Sequence, residues 1–294
     1  MSEHRRRLAI IMNPTSAGGK PLRVLGDVEA ELAQLGLPHR VIESRDIEHG
    51  GELAREAAAA GEVVVALGGD GLVGALAGAL RGEGVMGVLP AGRGNDFARA
   101  LGIPGDVREA CRVLATGVER ALDLGEANGR PFACIASVGY DSVANRIANQ
   151  TRFMRGNLVY AYAAIRALAS WKAATFTVTL DGAEQSFRGY NVVVANSAYY
   201  GGGMKVAPSA DPSDGLLDVI FVRDVPKRRF IANLPKVFSG KHVHSEEIVM
   251  HRARVIEIAA DRPFDVYADG DPLTQLPARV TVLPKRLRLI APAP

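Results

Sequence analysis

This sequence predicts an α/β fold in two parts. An N-terminal α/β domain on a parallel sheet covers residues 1–120, and a C-terminal β-rich, antiparallel, sandwich-like domain covers 121–284. Three observations predict it. Up to about residue 120 short apolar runs alternate with amphipathic segments at helical spacing. From Ala121 onward the pattern changes to strand-like segments, and a last apolar run, Leu287–Ile290, is suited to return to the first domain, which residues 285–294 would complete. Strand–helix alternation calls for a parallel sheet with helices on both faces. Alternating apolar and polar positions mark the half-buried strands of an antiparallel layer.

Taken in order, Leu8–Met12 is the first strand; Arg5-Arg6-Arg7 before it imitates a signal peptide, but Asn13-Pro14 cuts the apolar part short. Leu22–Leu35 is a helix with its apolar face at Leu25, Val28, Leu32 and Leu35. His39–Ile42 is a strand, 52–60 a helix, Val63–Leu67 a strand, Leu72–Leu80 a helix and Val85–Leu89 a strand. In the second part, Phe176–Leu180, Tyr190–Ala195, Leu216–Val222, Val255–Ala259 and Asp265–Ala268 read as strands, interrupted by helical insertions near 141–170 and 226–238.

Composition narrows the function classes. Charged residues make up 23% of the 294 and the formal net charge is +3, which permits an acidic partner without requiring one. The two cysteines, Cys111 and Cys134, lie in apolar surroundings without metal-like spacing and are expected to be inert thiols in a reducing compartment. No apolar run approaches the roughly 18 residues of a membrane span. Nucleic acid is not an expected partner, for no recognition signature or strongly basic balance is present.

The first motif is the Gly-Gly-Asp-Gly of residues 68–71, between a buried strand and a helix of small residues. Glycines there let backbone amides approach a bulky group, and Asp70 could face a cation or a ligand donor; a tight strand-to-helix turn is the simpler alternative. The formal dinucleotide match Gly69–Gly74 follows the third strand instead of the first and lacks the acid about 20 residues on. A P-loop fails too, since Pro21 follows Gly19-Lys20. A second glycine turn, Pro90 to Arg99, follows the next strand, with Asn95 and Asp96 able to cap the helix after it. Asn13-Pro14-Thr15-Ser16-Ala17-Gly18-Gly19 makes a third polar loop. Three such loops on one edge of a parallel sheet favour a phosphate or nucleotide site over three unrelated turns. In the second part, Asp211-Pro212-Ser213-Asp214-Gly215-Leu216 is an acidic turn without the spacing of an EF-hand, open to a turn or a small oxygen-ligand metal site. Asp269-Gly270-Asp271-Pro272 ends a strand with two acids; a hairpin explains Asp-Gly but not the second acid before proline.

Together, "NPTSAGG", "GGDG", "PAGRGNDFARALGIP", "DPSDGLLDV" and "YADGDP" resemble the diacylglycerol kinase catalytic-domain family in its bacterial lipid kinase branch, related to sphingosine and ceramide kinases. The resemblance implies a nucleotide-binding α/β domain, a β-rich domain and an active site in the cleft between them. It implies an ATP-dependent transfer of the γ-phosphoryl group to a lipid hydroxyl, foremost that of diacylglycerol, with Mg²⁺ accompanying ATP. Asn13, Pro14, Thr15, Ser16, Ala17, Ser44, Gly68, Gly69, Asp70, Gly71, Leu72, Arg93, Gly94 and Asn95 would hold ATP, with Asp70 near the magnesium. Asp214, with the carbonyls of Asp211 and Leu216, would match a second, structural magnesium site. Asp269 and Asp271 would match the element that supplies the general base. Leu72 and Arg93 stand where the family has threonine, and Asp271 where it has glutamate; Arg93 could compensate by pairing with phosphate.

A peripheral contact with an anionic membrane surface, from the cytoplasmic side, is expected from two basic segments. Between Ser142 and Leu180 no acid occurs, and Arg146, Arg152, Arg155, Arg166 and Lys172 alternate with Phe153, Tyr160, Tyr162 and Trp171. In 226–238, Lys227, Arg228, Arg229 and Lys236 alternate with Phe230, Ile231 and Phe238. Solvated helix faces are the alternative. Two other functions remain: a small-molecule kinase of the NAD kinase type, against which the Asp-Gly-Asp element and "DGLLDV" argue, and a catalytically silent lipid-binding protein. A homodimer is left open.

Overall fold

The computed structural model describes residues 6–151 and 157–293. Arg152, Phe153 and Arg155 of the first basic segment lie outside the described residues, as does the side chain of Tyr160.

The first domain alternates β1 (Leu8–Met12), α1 (Lys20–Gln34), β2 (His39–Glu43), α2 (Ile47–Ala59), β3 (Val63–Gly68), α3 (Asp70–Leu80) and β4 (Val85–Pro90). The strands pair in parallel in the order β4-β3-β1-β2. Their carboxyl ends therefore share one edge, which is where open α/β sheets bind ligands. β1 and β3 are buried along their whole length, as a strand covered on both faces requires. α2 begins five residues before the expected 52, because the Asp46 side chain accepts the His49 amide and caps it. The sequence hides this start behind Gly50 and Gly51, which are small because α3 packs there: a Cβ on Gly51 would lie 3.2 Å from that of Ala79.

The chain continues through α4 (Asp96–Ala100), α5 (Val107–Thr116), β5 (Val118–Ala127), β6 (Arg130–Phe132) and β7 (Ile135–Gly139). Then come α6 (Tyr140–Gln150), α7 (Asn157–Ser170), β8 (Ala174–Leu180), β9 (Ala183–Ala195), β10 (Leu217–Arg223) and α8 (Lys227–Phe238). It closes with β11 (Ile248–Ala253), β12 (Val255–Ala260), β13 (Asp265–Ala268), β14 (Asp271–Gln275) and β15 (Ala278–Ala291). The second part is antiparallel, as expected. β9 lies beside β8 through its first half and passes between β7 and β10 through its second. A core separate from that of the first domain gathers here, with Phe176, Tyr190 and Phe221 fully enclosed. Phe230 of α8 stacks on Tyr190 with centroids 4.3 Å apart, which fixes the helix to the sheet.

The expected return of the C-terminal run is seen. Arg288 and Leu289 pair in parallel with β4, and β15 also pairs with β5 and β12. Residues 120 and 285 both fall inside this long β5–β15 ribbon, so the chain passes between the two parts within strands instead of loops. Cys111 and Cys134 are buried free thiols, and burial pushes the Cys111 thiol up to about 12. No helix among the described residues is long and apolar enough to cross a membrane.

Candidate active site

At the end of β3 the glycines make room for protein as much as for any ligand. A Cβ on Gly68 would lie 2.8 Å from Leu72 Cδ2, since Leu72 folds back over its own strand. A Cβ on Gly92 would lie 2.3 Å from the Gly69 Cα, so the two glycine turns touch backbone to backbone. Asp70 ties them: its Oδ1 accepts the Phe97 amide at 3.0 Å and so caps α4. Asn95 and Asp96, the expected caps, do other work. Asn95 takes a left-handed φ of 53° and accepts the Gly92 amide at 2.8 Å.

Asp96 is buried and clamps the two domains. Its oxygens accept the Gly202 and Gly203 amides at 2.7 and 2.8 Å and the Arg99 guanidinium at 2.6 Å. Gly201, Gly202 and Gly203 all have positive φ, which aims successive amides at one anion. Burial raises the Asp96 pKa against the pull of these amides. The sequence analysis missed this partner loop, although three glycines in a row after a buried strand are a visible signal.

The small-residue face of α3 is an interdomain surface. Added Cβ atoms on Gly71, Gly74 and Gly78 would lie 3.0 Å from Asp271 Oδ2, 2.8 Å from Asp269 Oδ2 and 2.3 Å from Pro131 Cγ. The fold thus brings the Gly-Gly-Asp-Gly turn and the 269–271 turn face to face. The two acids differ sharply. Asp269 takes a left-handed φ of 52°, and its carboxylate accepts the amides of Ala133, Cys134 and Ile135 at 2.7, 3.0 and 3.1 Å. Burial, with the charge of Asp70 adding to it, raises the Asp269 pKa to about 7 even though three amides favour the anion. Asp271 lies at the exposed start of β14, and among the described residues its carboxylate has no hydrogen-bond donor. Partial burial raises its pKa too.

The third loop lies at the same edge. Asn13 Oδ1 accepts the amide and hydroxyl of Thr15 at 2.9 and 2.8 Å, and Ser16 Oγ donates to the Asn13 carbonyl at 2.9 Å. Pro14 lies within this turn, and Ala17, Gly18 and Gly19 follow with left-handed backbone. Lys20, passed over with the failed P-loop, reaches across to the Gly92 carbonyl at 3.1 Å and puts an ammonium between the second and third loops. Arg93 is exposed, with no hydrogen bond or ion pair among the described residues; Gly94 sits against Asp70 and Asp96. Ser44 is buried, and its hydroxyl donates to the Met12 carbonyl.

Asp211, Asp214 and Leu216 share one turn, in which three carboxylate oxygens already have partners. Asp211 Oδ1 accepts the amide and hydroxyl of Ser213 at 3.0 and 2.6 Å, and Asp214 Oδ1 accepts the Leu216 amide at 2.9 Å. Asp214 Oδ2 is ion-paired with Arg252. The Asp214 carboxylate is thus held by an amide and a guanidinium, and among the described residues no three acids, histidines or cysteines are grouped to hold a metal ion. On α8, Lys227 donates to the Ala169 carbonyl at 2.9 Å and Arg229 pairs with Glu247 at 2.9 Å. Arg228 and Lys236 stay exposed beside Ile231, Leu234 and Phe238.

Comparison with known proteins agrees with the two-part fold. The diacylglycerol kinase catalytic domain matches residues 7–127, and the YegS C-terminal NAD kinase beta sandwich-like domain matches residues 134–291. A diacylglycerol kinase of Mycobacterium tuberculosis is 31% identical over 97% of this chain and 95% of its own. One of Bacillus subtilis is 28% identical over 98% and 97%. The crystal structure of a diacylglycerol kinase from Bacillus anthracis superposes with a TM-score of 0.77 at 21% identity, covering 98% of this chain and 97% of that one, a likeness of fold. With both domains matched, in order and over nearly its full length, the chain belongs to the diacylglycerol kinase family of lipid kinases.

Proposed function

We propose that this protein transfers the γ-phosphoryl group of ATP to the free hydroxyl of diacylglycerol, giving phosphatidic acid, with Asp271 as the general base. The observation that carries the reading is the juxtaposition of Asp271 with Gly71: an acid without a donor faces the turn between β3 and α3 across the cleft. Phosphoryl transfer depends mainly on positioning and on neutralising charge. The loops at 13–19, 68–72 and 92–95, with Lys20, surround the edge where the phosphates lie, and their amides and the ammonium oppose the phosphate charge. Asp70 Oδ2, beside Gly94, would face a magnesium ion arriving with the nucleotide, which would supply charge neutralisation for the transferred group. Asp271 accepts the proton of the lipid hydroxyl as the new phosphorus–oxygen bond forms. Asp269, saturated by backbone amides, is a positioning residue that holds the turn on which Asp271 stands.

The lipid reaches this site from α8. A cavity of about 110 Å³ lies under that helix, lined by Met204, Ile220, Val222, Phe230 and Leu234 with Asp141, Tyr200, Asn233 and Glu247 among its polar groups. A mainly apolar lining with a few polar groups suits the beginning of an acyl chain. The exposed apolar side chains of α8 with Arg228 and Lys236 form the face that would rest on an anionic bilayer; Lys227 and Arg229, counted in the same surface from sequence, are tied into the fold. The testing experiment is a radiolabelled ATP assay against diacylglycerol, ceramide and NAD. Diacylglycerol-dependent phosphatidic acid supports the reading, and label in NADP or in neither lipid overturns it. Vesicle binding that survives Arg228→Glu with Lys236→Glu would move the membrane face elsewhere.

A further inference from the structure

We propose that Arg252 serves as the built-in cation of the 211–218 turn, so that this turn is held without any metal ion. Three attachments already do what a structural cation would do. The first is the ion pair between Asp214 Oδ2 and the Arg252 guanidinium, whose Nε also lies 3.5 Å from Asp218 Oδ2. Register makes the pairing unavoidable: Arg252 of β11 stands directly opposite Asp218 of β10, at the foot of the turn. The second is Asp123 of β5. Its amide donates to the Pro212 carbonyl at 2.6 Å, and its carboxylate accepts the amides of Gly215 and Lys285, each at 2.7 Å. The third is internal to the turn, where Asp211 and Asp214 accept from Ser213 and Leu216.

A divalent ion at this turn would need the Asp214 carboxylate, and the guanidinium occupies it. Two cations cannot share that oxygen without strong repulsion. The buried Asp218 adds a second acid to the same space. Its Oδ1 accepts from Ser209 Oγ at 2.5 Å, and a guanidinium that reaches both carboxylates opposes the repulsion between them. Arginine meets this demand with a planar fork that reaches both carboxylates at once.

The experiment uses nucleotide-free protein, so neither lipid nor ATP chemistry enters and its failure would leave the kinase reading intact. Thermal unfolding of the parent is expected to be the same in EDTA and in millimolar MgCl₂. Arg252→Met should unfold several degrees lower in EDTA, and Mg²⁺ or Ca²⁺ should recover most of the loss, because the freed Asp214 and Asp218 then have hard oxygens to offer. Adding Asp214→Asn should abolish the recovery. An Arg252→Met variant that neither ion restores would overturn the exchange of one cation for the other. Calorimetric titration of Mg²⁺ into the parent and into Asp214→Asn needs no unstable variant. Matching isotherms are expected, and a binding event present in the parent and lost in Asp214→Asn would overturn the proposal.

Discussion

Two acidic turns of the second domain look alike in sequence and differ in what their carboxylates are left to do. At 269–271 one acid is saturated by three backbone amides while its neighbour has no donor and faces the first domain. At 211–218 every acid is taken, by Ser213, by Leu216, by Ser209 or by Arg252. The first turn is therefore the one we propose for chemistry, and the second the one we propose to hold shape without a metal ion. What separates them is the supply of donors around each acid, and that is fixed by strands far away in the chain.

The largest effect expected from this contrast is on catalysis. Asp271→Asn should lower kcat by about 10²-fold or more, the range of a lost general base, with the KM for ATP nearly kept. The acid limb of the kcat–pH profile should lie above the ordinary carboxylate value of 3.8, since burial raises the Asp271 pKa. Near-parental kcat in a folded Asp271→Asn protein would erase the distinction between the turns.

The saturated acid should act on stability instead. Asp269→Asn removes an acceptor from a cradle of three amides, at a cost of about 1–3 kcal/mol. Its pH signature has a definite sign. The folded state holds a proton on Asp269 more tightly than the unfolded chain does. That contribution to stability is full below the unfolded pKa near 3.8 and fades as the pH rises through about 7. Urea midpoints across this window should therefore fall more steeply for the parent than for Asp269→Asn. Parallel profiles would mean that the amides keep Asp269 ionised throughout.

How much of this the sequence disclosed follows the same logic. Periodicity and turn chemistry are local, so the strands of the first domain, the switch to an antiparallel layer and the return of Leu287–Ile290 could all be read. Partners across the fold could not. The glycines at 69 and 92 read as openings for a ligand, yet each is small because the other lies against it. The role of Gly71, Gly74 and Gly78 depends on Asp271, Asp269 and Pro131, none of them near in sequence. Asp96 reads as a local helix cap and instead clamps a loop 106 residues away. Arg252 carries no motif at all, and its importance comes from strand register with Asp218.

The comparison extends to the cations of the nucleotide edge. Lys20 is held in place by the Gly92 carbonyl, and Arg93 is not held. A cation already fixed between two loops loses little freedom when phosphate binds, so Lys20→Ala should raise the KM for ATP about tenfold, equivalent to about 1.4 kcal/mol.

Arg93 should show the smallest effect. It stands in the glycine turn beside Asp70 and Asp96, where the family has a threonine, but its side chain is exposed and must be ordered before it can pair with phosphate. Immobilising such a side chain costs roughly 0.5–1.5 kcal/mol, which cancels much of what a charge-assisted contact contributes. Arg93→Ala should therefore raise the KM for ATP only a few-fold, and Arg93→Thr less, because a short hydroxyl can reach the nucleotide without that ordering. ATP titrations of the two variants at low and high salt separate the outcomes. A phosphate contact predicts that the Arg93→Ala defect shrinks as salt rises, since screening weakens the parent's contact too. Equal affinity and equal salt dependence of the parent, Arg93→Ala and Arg93→Thr would show Arg93 pointing to solvent, leaving Lys20 and the backbone amides to oppose the phosphate charge.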